Sequence, residues 1–179
     1  MLQKCSILKV ARVFFNEPTK SHYLIEISKK SGIAHTSVKQ YLNELKKQSI
    51  ITENFETKGK RKFPIYKADL DSSEYRSYKM ISNQLQLKES DIIKFLNDKL
   101  MPKTIVVFGS YSRGEDIEDS DIDIFIECKE ENLDLSKYEK ILKRRIQLHF
   151  KRDFSEYPKE LKNNIMNGII LRGFLEGVK

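Results

Sequence analysis

Two aspartates and a Gly-Ser pair, separated by ten residues, are the groups in this sequence whose types and spacing could do chemistry. They lie in the stretch IVVFGSYSRGEDIEDSDIDIFIE, residues 105–127. On a strand, residues such as Asp121 and Asp123 share one face and stand roughly 6 to 7 Å apart. Two carboxylates at that separation can converge on a hard divalent cation. Mg²⁺ fits, because it commonly binds through one or two carboxylates plus substrate phosphates.

The Gly-Ser pair follows a short apolar run, Ile105 to Phe108, which is typical of a strand buried on both faces. Gly109 has no Cβ, so the backbone can turn sharply there and a ligand can come close. Ser110 adds a hydroxyl and free N–H groups at the start of a helical turn, which suits phosphate oxygens. The stretch therefore predicts a strand, a phosphate-binding turn and a second strand, Asp121 to Glu127, carrying both carboxylates.

This combination of turn, spacing and flanking strands resembles the signature of the DNA polymerase β-like nucleotidyltransferase superfamily, and most closely its minimal nucleotidyltransferase branch. The resemblance covers about residues 88–179 and includes the Arg113-Gly114 pair and Ser120. It implies Mg²⁺-dependent attack on the α-phosphorus of a nucleoside triphosphate with pyrophosphate leaving. The residues that it implies are Gly109, Ser110, Ser112 and Arg113 for the nucleotide and Asp121 and Asp123 for the metal. An acidic loop between two ordinary strands is the structural alternative.

The resemblance also implies a third acidic residue on the following strand, which the alternation of apolar residues predicts at Arg145 to Phe150. The expected positions carry Gln147 and His149 instead. Glu127 does not replace the missing acid, since it lies roughly 13 Å along the strand from Asp123. Because histidine can accept a proton near neutral pH, His149 joins the two aspartates as a candidate catalytic residue. A strand histidine at the edge of a pocket, with no chemical role, is the alternative.

The charge of the chain is concentrated in its N-terminal part. Residues 1–70 hold 14 Lys and Arg against 6 Asp and Glu, whereas residues 71–179 hold 19 against 20. A basic segment of this kind favours a polyanionic partner.

The pattern within residues 1–70 predicts three helices and a hairpin. The helices contain Ile7 to Phe14, Tyr23 to Lys30 and Ser37 to Gln48, and the strands are Ile50 to Glu56 and Phe63 to Ala68. The stretch SGIAHTSVKQYLNELKKQSII resembles winged helix-turn-helix DNA-binding domains, in which the start of the third helix faces the major groove. The residues implied for DNA binding are His35, Thr36, Ser37, Lys39 and Gln40 on that helix and Lys58, Lys60, Arg61 and Lys62 at the hairpin tip.

These elements predict an α+β protein with two domains. Residues 1–70 are expected to form the winged helix-turn-helix, 71–87 a helical connector, and 88–179 a minimal nucleotidyltransferase domain with a mixed β-sheet flanked by helices. Within the last domain, a helix is predicted over Asp91 to Leu100 and a closing helix over Pro158 to Phe174. The basic cluster at Lys143, Arg144 and Arg145 is interpreted mainly as a solvated helix end, with a nucleic-acid or nucleotide contact as the alternative.

The leading hypothesis is transfer of a nucleoside monophosphate from a nucleoside triphosphate to a protein or small-molecule acceptor, with DNA recruited by the N-terminal domain. By resemblance to minimal nucleotidyltransferases that act as antitoxins, a toxin is a candidate partner. The alternative is a transcriptional regulator whose degenerate nucleotidyltransferase domain only senses nucleotide. A third alternative makes the winged helix a dimerisation module, which would give a homodimer without DNA.

Other properties of the sequence exclude several classes of protein. Two distant cysteines provide neither a disulfide framework nor a zinc site. Every apolar run is far shorter than the about 20 residues that a membrane-spanning helix needs. With no signal peptide visible, we expect a cytoplasmic protein without a membrane partner.

Overall fold

The structure is a computed structural model that describes residues 5–154 and 157–175. Within these ranges the chain folds into two compact units, with the division between Ser82 and Asn83. Helices and strands occur in both units, in agreement with the predicted α+β class.

The N-terminal unit contains helices and one three-stranded antiparallel sheet, in the strand order β1-β3-β2. Its elements are α1 (Ser6–Asn16), β1 (Ser21–Tyr23), α2 (Leu24–Ser31), α3 (His35–Lys47), β2 (Ile51–Lys58), β3 (Arg61–Ala68) and the first part of α4 (Ser73–Glu89). The helices pack on one face of the sheet, around the fully buried Phe14, Ile27 and Val38. Burial of these apolar side chains is the main stabilising contribution to the unit.

The hairpin differs from its predicted form, because the strands continue further toward the tip. Lys58 pairs with Arg61, so the turn consists of Gly59 and Lys60 alone. Gly59 has a φ of +63°, and a glycine at the first central position permits a two-residue turn that keeps the ladder intact. Lys58, Arg61 and Lys62 therefore lie on strands rather than in a loop. The short strand β1 was not predicted.

A polar contact fastens α3 to the sheet. Lys46 donates a hydrogen bond to Glu53, and the Tyr66 hydroxyl donates to the other oxygen of the same carboxylate at 3.0 Å. The hydrogen bond from Lys46 lowers the pKa of Glu53. Burial, together with the hydrogen bond to Glu53, raises the pKa of Tyr66 to about 12. The carboxylate thus holds the third helix in a fixed position against β2 and β3.

The C-terminal unit is built on a four-stranded mixed sheet in the order β6-β5-β4-β7. Its further elements are α5 (Ile92–Leu100), β4 (Ile105–Phe108), α6 (Gly109–Arg113), β5 (Ile122–Glu127), α7 (Ser136–Leu142), β6 (Ile146–Lys151), α8 (Lys159–Met166) and β7 (Ile169–Arg172). Strands β5 and β6 are parallel, and the other two pairs are antiparallel. The mixed sheet was predicted.

Apolar side chains cover both faces of this sheet. One face carries Ile122, Ile124 and Ile126 and packs against α5 and α7. The opposite face carries Phe125, which packs with Phe154 and with Ile165 of α8. Because both faces are buried along the central strands, polar side chains that serve a site are confined to the ends of those strands.

The predicted closing helix over Pro158 to Phe174 is wrong in its second half. The helix ends at Met166, and Ile169–Arg172 form β7, which pairs antiparallel with β4. Strand β4 would otherwise present an unpaired edge beside a buried core, and backbone groups in such a position need hydrogen-bond partners. The aliphatic run Ile169, Ile170 and Leu171 supplies them as a strand.

The helices in the described ranges do not have the properties of membrane-spanning helices. None of the helices there combines the length and the apolar character that crossing a bilayer requires.

Candidate active site

The site is built where β4 ends and β5 begins. Phe108 at the end of β4 pairs with Asp123, so Gly109 follows directly beside that carboxylate. Gly109 has a φ of +74°, and a Cβ placed on it would lie 2.7 Å from Asp123 Oδ2. A side chain at this position would therefore collide with the carboxylate as well as strain the backbone. The glycine leaves room for one oxygen of Asp123 to face the bend.

The remainder of the turn is held by its own side chains. Ser112 is buried, and its hydroxyl donates to the Gly109 carbonyl at 2.8 Å. Ser110 is half-buried, whereas Arg113 is exposed and pairs through Nε with Glu115 at 2.7 Å. The hydroxyl of Ser112 thus fixes the bend, while Ser110 and Arg113 remain at the surface of the turn. A contact between these residues and a nucleotide stays a prediction.

His149 contacts the second oxygen of the same carboxylate. Its Nε2 lies 3.0 Å from Asp123 Oδ1, and its ring packs edge-on to Phe108 with centroids 5.0 Å apart. The side chains of His149 and Asp123 are 23% and 26% exposed, so solvent or a ligand can reach both. Gln147, the other residue at the expected third-acid positions, is paired in register with Asp123 and is exposed. The structure therefore brings His149 and Asp123 together on one face of the sheet.

Asp121 is exposed and precedes β5 by one residue. It borders a cleft of about 700 Å³ at the end of the sheet. The cleft is lined by the loop before β5, by α7 and by the residues after α7: Glu118, Asp119, Ser120, Asp121, Ser136, Glu139, Lys140, Lys143, Arg144 and Arg145. Four basic side chains thus share a cleft with one of the two predicted metal ligands.

The loop that delivers Asp121 is anchored by a buried polar network that the sequence did not reveal. Asp116 is 2% exposed; it accepts a hydrogen bond from Asn83 at 2.8 Å and pairs with Arg144 at 3.6 Å. The amide of Asn83 also donates to the Tyr111 carbonyl in α6 at 2.9 Å. The side chain of Arg144 is only 7% exposed, so its interpretation as part of a solvated helix end is wrong. Such a network fixes the loop relative to the glycine bend.

Asp121 and Asp123 together provide hard oxygen donors that suit a divalent cation. Asp123 presents Oδ2 toward the glycine bend, while Oδ1 is in contact with His149. In the described part of the chain, no cluster of three or more His, Cys, Asp or Glu side chains is arranged to hold a metal. Two carboxylates are the share of a Mg²⁺ shell that a protein usually supplies, since substrate phosphates and water complete it. Joint binding of one ion by Asp121 and Asp123 stays a prediction.

The residues predicted to bind DNA lie at two places in the N-terminal unit. His35, Thr36, Lys39 and Gln40 are exposed on the first turns of α3, and Ser37 beside them is half-buried. Lys58, Lys60, Arg61 and Lys62 are exposed around the hairpin turn. Lys58 is also 3.5 Å from Glu56, so part of its charge is offset within the hairpin. Binding of DNA by either group stays a prediction.

Comparison with known proteins bears on the C-terminal unit. Residues 89–171 match a family model described as a nucleotidyltransferase domain. This segment is similar to nucleotidyltransferase domains. A protein of Methanocaldococcus jannaschii, named provisionally as a protein adenylyltransferase, is 48% identical in a match that covers 31% of this chain and 63% of that protein. The chain therefore spans just under two thirds of that relative's length. No solved structure matches the chain. Together the two matches support nucleotidyl transfer as the general activity of this segment.

Substitution of Gly109 by alanine tests the geometry of the bend. Gly109→Ala should weaken Mg²⁺-dependent binding of ATP, because the new methyl group would displace the Asp123 carboxylate. Titration calorimetry with a non-hydrolysable ATP analogue measures the binding, and thermal unfolding reports stability.

Gly59→Ala is the matched control for this substitution. Gly59 has a similar φ of +63°, but a Cβ there meets nothing within 4 Å. Its substitution should therefore show the backbone strain alone, about 1 kcal/mol, with ATP binding unchanged. If Gly109→Ala also left ATP binding unchanged, the proposed use of the space beside Asp123 would be wrong.

Proposed function

We propose that the C-terminal unit transfers a nucleoside monophosphate from a nucleoside triphosphate to a hydroxyl group of a protein or small molecule. The observation that carries this proposal is the contact between the Gly109 bend and the Asp123 carboxylate. That contact sets an anionic ligand group beside a turn whose backbone can approach phosphate oxygens.

In this proposal Asp121 and Asp123 hold Mg²⁺, which when bound supplies neutralisation of phosphate charge. Gly109 and Ser110 bind the triphosphate through the backbone and the hydroxyl of the turn. Ser112 keeps the turn in shape through its bond to the Gly109 carbonyl. Arg113 adds a positive charge near the phosphates. Most of the rate enhancement in phosphoryl transfer comes from such positioning and charge stabilisation.

In this proposal His149 acts as the base, in place of the third carboxylate that the expected positions lack. With the Asp123 carboxylate as acceptor of its contact with His149, the proton of a neutral His149 lies on Nε2, which leaves Nδ1 to accept a proton. The packing of the ring against Phe108 limits its rotation. His149 would remove the proton of the acceptor hydroxyl as that oxygen attacks the α-phosphorus and pyrophosphate leaves.

The choice of ATP and of a protein acceptor rests on the Methanocaldococcus relative, whose name describes a protein adenylyltransferase. The cleft beside Asp121 is large enough for an acceptor segment, and its lining carries four acidic and four basic side chains. A partner toxin is one such candidate acceptor. A small-molecule acceptor would bind in the same cleft.

A nucleotide sensor without transfer is the second candidate function. The observation in its favour is Gln147, which is paired with Asp123 at a position where the resemblance implies an acid. An amide there contributes no charge to a metal site. In that case the unit would bind nucleotide and alter the affinity of the N-terminal unit for DNA.

For the N-terminal unit we propose a winged helix that binds duplex DNA. The order of three helices with a terminal hairpin supports this proposal, as do the exposed polar side chains at the start of α3. The helix would enter the major groove, and the basic hairpin tip would contact phosphates. The alternative is that this unit forms a homodimer and does not bind DNA.

Transfer of labelled AMP tests the enzymatic proposal. The full chain is incubated with α-³²P-ATP, Mg²⁺ and candidate acceptors, and labelled product is measured. Asp121→Asn and Asp123→Asn should each abolish transfer. His149→Gln should lower the rate about 10²- to 10⁴-fold while nucleotide binding is retained, because the glutamine amide can still donate to Asp123 but cannot take up the proton.

Asp119→Asn is the control, since Asp119 is an exposed carboxylate that lines the same cleft without a proposed role. Product that persists in Asp123→Asn would refute the metal assignment. Binding of ATP without turnover, accompanied by a change in DNA affinity, would favour the sensor.

Salt dependence of DNA binding tests the role of the hairpin tip. Replacing Lys58, Lys60, Arg61 and Lys62 by glutamine should weaken binding to duplex DNA of any sequence and flatten its dependence on salt. The slope should fall by about 1 for each phosphate contact removed. Fluorescence anisotropy from low to high salt measures it. An unchanged slope would exclude the tip as a phosphate contact.

A further inference from the structure

The sheet of the N-terminal unit has one face that the helices leave open. Pairing of Tyr23 with Ile65 and of Phe63 with Glu56 fixes which side chains share it, because directly paired residues point to the same side. Tyr66, His22 and Ala68 alternate with them and are buried on the opposite face, against the helices. The open face thus belongs to a different surface from the one that holds α3.

Aromatic and basic side chains occupy this open face together. Phe63 is 38% exposed, although it lies on the central strand, and Tyr23 beside it is half-buried. Lys58 places its Nζ 4.7 Å from the centre of the Tyr23 ring. The charged residues of the face are Lys58, Arg61 and Lys67, with Glu56 as the acidic one. The surface therefore combines one exposed and one half-buried ring with an excess of positive charge.

This combination matches the chemistry of a nucleic-acid strand with unstacked bases. Each base has a π-face that can stack on an aromatic ring, and cations beside the ring can bind the adjoining phosphates. In a duplex the bases are already stacked on one another, so rings that lie on a sheet surface gain access only to single-stranded segments. Neither the apolar rings alone nor the charges alone would select this ligand.

We propose that the open sheet face, defined as Tyr23, Phe63 and Ile65 with Lys58, Arg61 and Lys67, binds single-stranded nucleic acid. Phe63 stacks on a base, and Arg61 next to it and Lys67 farther along β3, all on the same face, contact phosphates. The face shares Lys58 and Arg61 with the hairpin tip proposed to contact duplex DNA, but base stacking through Phe63 is separate from duplex binding by α3 and does not depend on nucleotidyl transfer. It would let the N-terminal unit hold RNA or melted DNA.

Phe55 provides a matched control within the same hairpin. It is 63% exposed, more than Phe63, but it pairs with Pro64 and points to the opposite side of the sheet. If any exposed aromatic residue could cause binding, Phe55→Ala would weaken dT20 binding at least as much as Phe63→Ala. If the open face is the site, only Phe63 matters.

The experiment measures anisotropy of fluorescein-labelled dT20, of a 20-base-pair duplex and of a polyglutamate peptide with the full chain. Phe63→Ala should weaken dT20 binding about fivefold or more, and Phe63→Leu should do the same while preserving an apolar side chain on the strand. Phe63→Trp should restore the affinity. Phe55→Ala should leave it unchanged, and none of these variants should alter duplex binding.

Several outcomes would overturn the proposal. Unchanged dT20 affinity in folded Phe63→Leu would exclude stacking, as would equal losses in Phe55→Ala and Phe63→Ala. Equal losses for dT20 and duplex would assign the face to duplex DNA. Preferential binding of polyglutamate would assign it to an acidic protein. Thermal unfolding of each variant establishes that the chain is folded.

Discussion

The candidate active site depends on the close approach of the Asp123 carboxylate to the backbone at Gly109. Pairing of Phe108 with Asp123 brings the start of β5 beside the end of β4, and the left-handed conformation of Gly109 turns the chain away at that point. Any side chain at position 109 would occupy the space of Asp123 Oδ2. The acid, the bend and the strand register therefore form one arrangement.

The surrounding structure keeps this arrangement in place. The hydroxyl of Ser112 donates a hydrogen bond to the Gly109 carbonyl and so stabilises the bend. The buried side chains of Asn83, Asp116 and Arg144 connect the following loop to α6 and to the end of α7. A buried carboxylate needs such partners, since an unpaired charge in the interior is strongly destabilising. On the other side of Asp123, His149 reaches the remaining oxygen from the parallel strand β6. The carboxylate is thus oriented from both sides while part of it stays accessible.

Much of this could be predicted from the sequence, because it is local. An apolar run, a glycine and an alternating acidic strand follow one another directly, so the strand, the turn and the Asp pair needed no knowledge of distant pairing. Strand β7 could not be predicted, since the spacing of Leu161, Ile165 and Ile169 is also helical and only the open edge of β4 decides the outcome. The ion pair between Asp116 and Arg144 could not be predicted either. Two charged residues far apart in sequence are expected to be solvent-exposed unless the fold is known to bring them into contact. In the hairpin, strand pairing continues to Lys58 and Arg61 because a two-residue turn that begins with one glycine is enough to reverse the chain.

The most direct measurement of the central claim is electron-nuclear double resonance of the full chain with Mn²⁺ as a probe and a non-hydrolysable ATP analogue. If Asp121 and Asp123 hold a cation against phosphates seated on the Gly109 bend, Mn²⁺ should show coupling to ³¹P of the analogue, and this coupling should disappear in Asp123→Asn. Bound Mn²⁺ without phosphorus coupling, or coupling that survives the loss of both carboxylates, would contradict the account.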